Sequence, residues 1–337
     1  MRRAFRKCDY IASGKALETG GNSLMLGRGF MLGLAGNKKL ETFIRSNPFA
    51  SKAASRFVAG EKMEDLIAPV RALNSQGISV SLDLLGESVK NEKEVRQVVE
   101  THLDLFKMIQ ANELKANVSL KLSSLGLDID PEQCYRNVAR LLLAAPILDI
   151  SEPLNSPMFV RIDMEGSDST QRTLDLFYRL RSEKLYNTGV VIQAYLRRSE
   201  EDIERLIGDG VRVRLCKGAY KEPEQVAFPQ KSDVDASYVK LMKRLMLRGN
   251  YPGIATHDER IIREAKEYAK TEKIAKDRFE FQMLYGIRRD LQTSLIQEGY
   301  LVRCYTPFGD HWYPYFMRRL AERPANAIFI LKNLLKP

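Results

Sequence analysis

The sequence predicts an α/β fold, a (β/α)8 TIM-type barrel with an N-terminal helical arm, and three observations carry that prediction. Eight short runs rich in Val, Ile or aromatic residues recur from residue 78 onwards, bounded by Gly, Pro, Asn or Asp as strands are. Stretches with apolar residues at a helical period separate them. The alternation fills roughly 260 residues, the length of one such barrel. An open, doubly wound sheet is the alternative.

Residues 1–60 form the expected arm and residues 61–337 the barrel. In the arm, "LMLGRGFMLGLAG" (Leu24 to Gly36) is too short to span a bilayer and contains Arg28, so it reads as a packing helix, with an interfacial membrane helix as the alternative. "GEKMEDLIAPVRALNSQG", from Gly60, reads as a helix leading into the first strand, "ISVSLDLLGE" from Ile78. "EVRQVVETHLDLFKMIQ" follows, with Val95, Val98, Val99, Leu103, Phe106 and Ile109 at a 3.6-residue period. The next strands are "NVSLKLSSLG" from Asn117, "MFVRIDMEG" from Met158 and "TGVVIQAYL" from Thr188. The helices "STQRTLDLFYRL" and "SEEDIERLI" open with Ser near the cap and acids in the early turns. "VRVRLCKGAY" (Val211), "PGIATHD" (Pro252), "RFEFQML" (Arg278) and "YLVRCYTPFG" (Tyr300) complete the strands, and "DVDASYVKLMKRLM" supplies a helix between the first two of these. The segment "WYPYFMRRLAERPANA", Trp312 to Ala327, reads as a final helix.

The 337 residues are 44% hydrophobic and 28% charged, enough for a large core and against wholesale disorder. The net charge of +10 favours anionic partners without choosing among them. No basic run is interleaved with aromatics, so nucleic acid is not an expected partner. The four cysteines, Cys8, Cys134, Cys216 and Cys304, are scattered, which points to neither a zinc site nor a disulfide framework and fits a reducing cytoplasm. No secretory signal is apparent at the N-terminus.

Barrel active sites lie at the C-terminal ends of the strands. The polar residues there are Asp83 and Glu87, Lys121, Arg161 and Asp163, Gln193, Arg214 and Lys217, Thr256, His257 and Asp258, Gln282, and Tyr305. One buried charge can be a structural ion pair, but a ring of them at one rim points to a site. On the last helix, Tyr315 is three residues before Arg318 and four before Arg319, and Glu322 follows both within a turn. Two arginines with a lysine opposite suit a carboxylate, which guanidinium binds through paired hydrogen bonds. There is no dinucleotide fingerprint, Walker A loop, H-E-x-x-H or G-x-S-x-G, and His102, His257 and His311 make no metal cluster. With no obvious nucleophile–base pair, chemistry carried by a bound cofactor is favoured.

These residues resemble one family. "DLLGE", "VSLKLS", "RIDMEGSDSTQRTLDLF", "VVIQAYLRRSEEDI", "RLCKGAYKEP", "ATHD", "FEFQMLYG", "RCYTPFG" and "YFMRRLAE" occur in the order found in proline dehydrogenases, from about residue 55 to the end. The compact length is similar to the single-function bacterial form. The resemblance implies oxidation of L-proline to Δ1-pyrroline-5-carboxylate by non-covalent FAD, with a quinone-type electron acceptor. It also implies a peripheral contact with the inner face of the cell membrane and handover to a separate pyrroline-5-carboxylate dehydrogenase. By resemblance, Arg318 and Arg319 clamp the proline carboxylate with Lys121, and Glu87 pairs with one of them as a gate. Tyr305 and Tyr315 pack along the proline ring. Asp163 and Arg214 are the core polar pair. Met164, Gln193, Arg214, Lys217, Gly218, Ala219, Tyr220, Thr256, His257 and Glu322 line the cofactor. Hydroxyproline as substrate, or a Schiff-base aldolase using Lys121 or Lys217, are the alternatives.

Overall fold

The structure, a computed structural model, describes residues 37–47, 54–86, 89–147 and 157–322. The Leu24 to Gly36 stretch and Glu87 lie outside the described residues, as does the side chain of Glu322. The chain divides into two units, Lys52–Trp312 and Met1–Ser51 together with Tyr313–Pro337.

The larger unit is the expected barrel. Its strands are β1 Ser79–Leu84, β2 Ala116–Leu120, β3 Val160–Ile162, β4 Thr188–Gln193, β5 Val213–Cys216, β6 Gly253–Ala255, β7 Glu280–Leu284 and β8 Leu301–Phe308. All neighbours are parallel, and β8 pairs with β1 from Ser79↔Arg303 to Leu84↔Phe308, closing the sheet. Closure leaves no unpaired edge.

Successive strand residues face opposite ways, and here the two faces differ in kind. One set is aliphatic and wholly buried: Val80 and Leu82, Val118 and Leu120, Val160 and Ile162, Val213 and Leu215. It forms one hydrophobic cluster with Leu105, Ile109, Leu141, Phe177, Leu206 and Leu245 of the surrounding helices. The other set is largely polar, with Ser81, Asp83, Ser119, Arg161, Arg214, Glu280 and Gln282 buried in the interior.

Helix α1, Lys38–Ser46, belongs to the smaller unit, and the barrel helices run α2 Ile67–Asn74, α3 Glu92–Ala111, α4 Pro131–Ala144, α5 Ser167–Ser182, α6 Ser199–Gly208, α7 Lys231–Arg248, α8 Glu259–Thr271 and α9 Arg289–Gln297. Several begin on side chains that accept orphan amides. Asn91 Oδ1 accepts from Glu94 N at 3.1 Å, and Asp130 Oδ1 from Glu132 N at 2.9 Å with Pro131 opening the helix. At α5 and α6 the cap positions are Gly166 and Arg198, and the serines do other work. Ser167 donates its N–H (2.8 Å) and its hydroxyl to Glu222, and the Ser199 hydroxyl donates to Gln193 O at 2.6 Å. The first two bonds tie the start of α5 to the loop after β5, and the third ties the start of α6 to the end of β4.

In the smaller unit, α1 (Lys38–Ser46) is capped by Asn37, which accepts from Lys39 N and Leu40 N, each at 3.1 Å. The helix α10 (Trp312–Glu322) is mostly apolar and buried at Tyr313, Tyr315, Phe316, Met317 and Leu320.

Candidate active site

Arg214 sits in the middle of β5, and its guanidinium reaches four other strands or their ends. Nη1 donates to Asp163 Oδ1 after β3 at 2.7 Å and to Ser119 Oγ on β2 at 3.2 Å. Nη2 donates to Ser81 Oγ on β1 at 3.2 Å, and Nε donates to Gln282 Oε1 on β7. Only a side chain crossing the barrel interior can meet all of these. A second bond fills the other Asp163 oxygen: Tyr305 on β8 donates its hydroxyl to Oδ2 at 2.7 Å, with its ring centroid 5.1 Å from Arg214 Cζ. Beside this cluster Lys121, just after β2, is ion-paired with Asp83 of β1.

The pairing is what makes burial tolerable. An unpaired charge in such a place is strongly unfavourable, and a partner with filled lone pairs offsets that cost. Burial pushes the Asp83 carboxyl above its usual range; Lys121 opposes this and the Asp163 charge reinforces it. Burial, then the negative charges of Asp163 and Asp83, raise the Tyr305 phenol well above its ordinary value. Tyr305 is therefore a fixed donor at neutral pH.

Nearer the N-terminal ends of the strands a second layer supports the first. Gln282 Nε2 donates to Glu280 Oε1 at 2.5 Å, and Arg303 Nε donates to the same oxygen at 2.7 Å. Tyr251 donates its hydroxyl to Glu280 Oε2 at 3.1 Å. Burial alone would raise the Glu280 carboxyl, but Arg303, Gln282 and Arg161 hold it below its usual range. Arg161, buried on β3, donates to Arg212 O at 2.6 Å.

Around the C-terminal rim, Gln193 ends β4 and donates Nε2 to Met164 O at 3.3 Å. Its Oε1 is buried and has no hydrogen-bond partner among the described residues. The expected cofactor-lining loop follows β5. Lys217 Nζ bonds Asp235 at 2.5 Å and Asp258 at 2.9 Å, so its ammonium is held to the starts of α7 and α8. Gly218 has φ +110°, and a Cβ there would lie 2.2 Å from Tyr195 Cδ1. Only glycine brings the backbone so close to that ring. Ala219 and a partly exposed Tyr220 continue the loop, which Glu222 ties to Ser167. After β6, the Thr256 hydroxyl accepts from Asp258 N at 3.1 Å, and His257 Nε2 accepts from Leu284 N at 2.9 Å. An accepting Nε2 leaves the proton of neutral His257 on Nδ1, as a donor. Burial raises the Cys216 thiol to about 12, which keeps it protonated as a packing group.

Of the expected site residues, the barrel therefore brings together Lys121, Asp163, Arg214 and Tyr305, with Met164 and Gln193 on the same rim. Arg318 and Arg319 lie half-buried on α10, where Arg319 Cζ is 5.1 Å from the centroid of the buried Tyr315 ring. The sequence placed Asp83 and Gln282 in the rim's polar ring without giving either a role, and it did not single out Ser81, Ser119, Glu280 or Arg303. Their signal was present as polar residues two apart in otherwise apolar strands: Ser81 and Asp83, Ser119 and Lys121, Glu280 and Gln282, Arg303 and Tyr305. Among the described residues, no group of three or more His, Cys, Asp or Glu side chains is placed to hold a metal ion.

Comparison with known proteins agrees with this architecture. The family model for proline dehydrogenase matches residues 66–332. The chain is 44% identical over 312 residues to proline dehydrogenase 2 of Bacillus subtilis strain 168, covering 93% of this chain and 100% of that one. It is 43% identical over 284 residues to the proline dehydrogenase of Deinococcus radiodurans, covering 84% and 90% respectively. The crystal structure of proline utilization A from Bdellovibrio bacteriovorus, inactivated by N-propargylglycine, superposes with a TM-score of 0.73 at 24% identity. That match covers 89% of this chain but 36% of the longer one, and it bears on fold alone. The matched family, the two relatives over nearly their whole length and the closed barrel agree: this chain belongs to the proline dehydrogenase family.

Proposed function

We propose that this proline dehydrogenase converts L-proline to Δ1-pyrroline-5-carboxylate with FAD held non-covalently at the C-terminal rim, and that the electrons pass on to a quinone-type acceptor. The observation that carries the reading is the Arg214–Asp163–Tyr305 cluster, a fixed cation held by bonds from several strands at the base of the rim. The residues present fit the cofactor. The buried Gln193 Oε1 is an acceptor with no donor among the described residues, and a flavin ring offers an N–H. Met164, Gln193, Arg214, Lys217, Gly218, Ala219, Tyr220, Thr256, His257 and Glu322 would hold it.

Bound FAD supplies the hydride acceptor. The protein supplies position and charge. Arg214, unable to turn away from Asp163, offsets negative charge arising next to it without reorganising. Lys121, with Arg318 and Arg319, binds the substrate carboxylate and fixes which ring carbon faces the oxidant. Tyr305 and Tyr315 cover the substrate ring and exclude water. The parts given to Arg318, Arg319, Tyr315, Glu322 and the Glu87 gate rest on the sequence resemblance.

The product would pass to a separate pyrroline-5-carboxylate dehydrogenase. Among the described residues no helix is long and apolar enough to cross a membrane. A net charge of +10 supports a peripheral contact with an anionic membrane surface, where a quinone would be met. The test of the carboxylate clamp is Arg318→Met and Arg319→Met. The expected result is an apparent KM for proline raised at least about tenfold, which is about 1.4 kcal/mol, with FAD content unchanged. Wild-type proline affinity in both variants would overturn the assignment.

A further inference from the structure

We infer that Glu280 is a positioning residue for Arg214, acting through the amide of Gln282. The inference rests on the part given to Arg214 above and deepens it.

The Gln282 amide lies between a group that only accepts and a group that only donates. Its Nε2 donates to Glu280 Oε1 at 2.5 Å, and its Oε1 accepts from Arg214 Nε. One orientation of the amide satisfies both neighbours. The flipped orientation sets oxygen against carboxylate and N–H against N–H. Glu280 thus decides which end of Gln282 meets the guanidinium.

Glu280 is itself immobilised. It is 2% exposed and is held by Arg303 Nε at 2.7 Å and the Tyr251 hydroxyl at 3.1 Å. Arg303 is anchored in turn to Val80 O at 3.1 Å. The amide has little room to move sideways. Gly253 lies in register between Arg214 and Glu280, and a Cβ there would come 2.4 Å from Gln282 Nε2. The bond at Arg214 Nε sets the plane of the guanidinium and hence the aim of Nη1 at Asp163 and Ser119 and of Nη2 at Ser81. A residue far from the rim therefore controls the orientation of the cation nearest the reaction.

The test uses Glu280→Gln, Gln282→Leu and the double variant in the full-length flavin-loaded enzyme. A glutamine at position 280 can accept or donate, so it no longer dictates the Gln282 orientation. A leucine at 282 removes the acceptor and leaves the Glu280–Arg303 pair whole. Each single variant is expected to lower kcat about tenfold while the KM for proline stays within about twofold. The midpoint potential of the bound flavin should become more negative by about 30 mV, the equivalent of tenfold for a two-electron couple. The double variant should be no worse than Gln282→Leu alone, because both changes act along one route. If Glu280→Gln does not fold, Glu280→Gln/Arg303→Met removes the charge pair together and reads the same quantities. Losses that multiply in the double variant, or a lowered Tm with an unchanged potential, would overturn the inference and leave Glu280 a structural residue. A wild-type enzyme whose flavin proline does not reduce would instead refute the function proposed above.

Discussion

Arg179 and Arg214 each meet a carboxylate closely, at 2.5 Å and 2.7 Å, yet they belong to different kinds of structure. Arg179 projects from the helix layer with nearly half its side chain exposed, spanning from α5 to Glu132 of α4 and covering the Tyr135 ring with Cζ 3.6 Å from its centroid. Water and salt screen such a pair, and ordering two long side chains opposes it. Arg214 has 6% of its side chain exposed and collects partners from β1, β2, β7 and the end of β3. Away from water each guanidinium N–H needs an acceptor, so one interior charge recruits a shell of polar groups. The same residue type is a solvated accessory on the helices and the centre of a network inside the strands.

That contrast predicts a graded series of effects. The largest belongs to Arg214→Met, which strands Asp163 without its cation. Stability should fall by roughly 3–5 kcal/mol in urea unfolding, as when one partner of a buried pair is removed. Proline turnover should fall on the order of 10²–10³-fold in dye reduction, the scale of losing a preorganised electrostatic group. A near-normal Arg214→Met would erase the distinction between the two regions.

His102 gives an intermediate case, a titratable group in the helix layer but buried against the barrel. Burial lowers its pKa from 6.5 to about 4, despite the 2.7 Å bond between Nδ1 and Val98 O. A depressed folded-state value means this group's contribution is fully present above pH 6.5 and is lost as pH falls toward 4. The span corresponds to about 3 kcal/mol. In His102→Gln, stability measured from pH 7 to 4 should lose that part of its slope; an unchanged slope would show that His102 does not titrate as described. The smallest effect belongs to Glu132→Gln, which should leave Tm unchanged within the error of a thermal scan, since Arg179 keeps its place over Tyr135.

Much of the barrel was legible in the sequence because one face of each strand is apolar, so Val, Leu, Ile or Phe recur at alternate positions between turn residues. All eight runs became strands, although "MFVRIDMEG" supplied only Val160–Ile162 to the ladder. Beyond it Asp163 and Met164 carry rim groups. Serine near the starts of α5 and α6 signalled the right location with a different bond, because Gly166 and Arg198 took the cap positions. Residue patterning alone did not show which interior charges pair; the resemblance supplied Asp163 with Arg214 but not Lys121 with Asp83. Lys121 and Asp83 are 38 residues apart, Arg214 and Asp163 are 51, and Arg214 and Ser81 are 133. Only barrel closure and register bring them to one level. Glu280 and Arg303 were missed for the same reason: they pair with each other across two strands, 23 residues apart.

The most direct test of the account is anaerobic titration of the purified protein with L-proline, followed by flavin absorbance. The account predicts a yellow protein whose visible band bleaches in proportion to added proline, and an Arg214→Met variant that binds flavin but bleaches far more slowly. A colourless protein that takes up no FAD, or a flavin band that proline leaves unchanged, would contradict it.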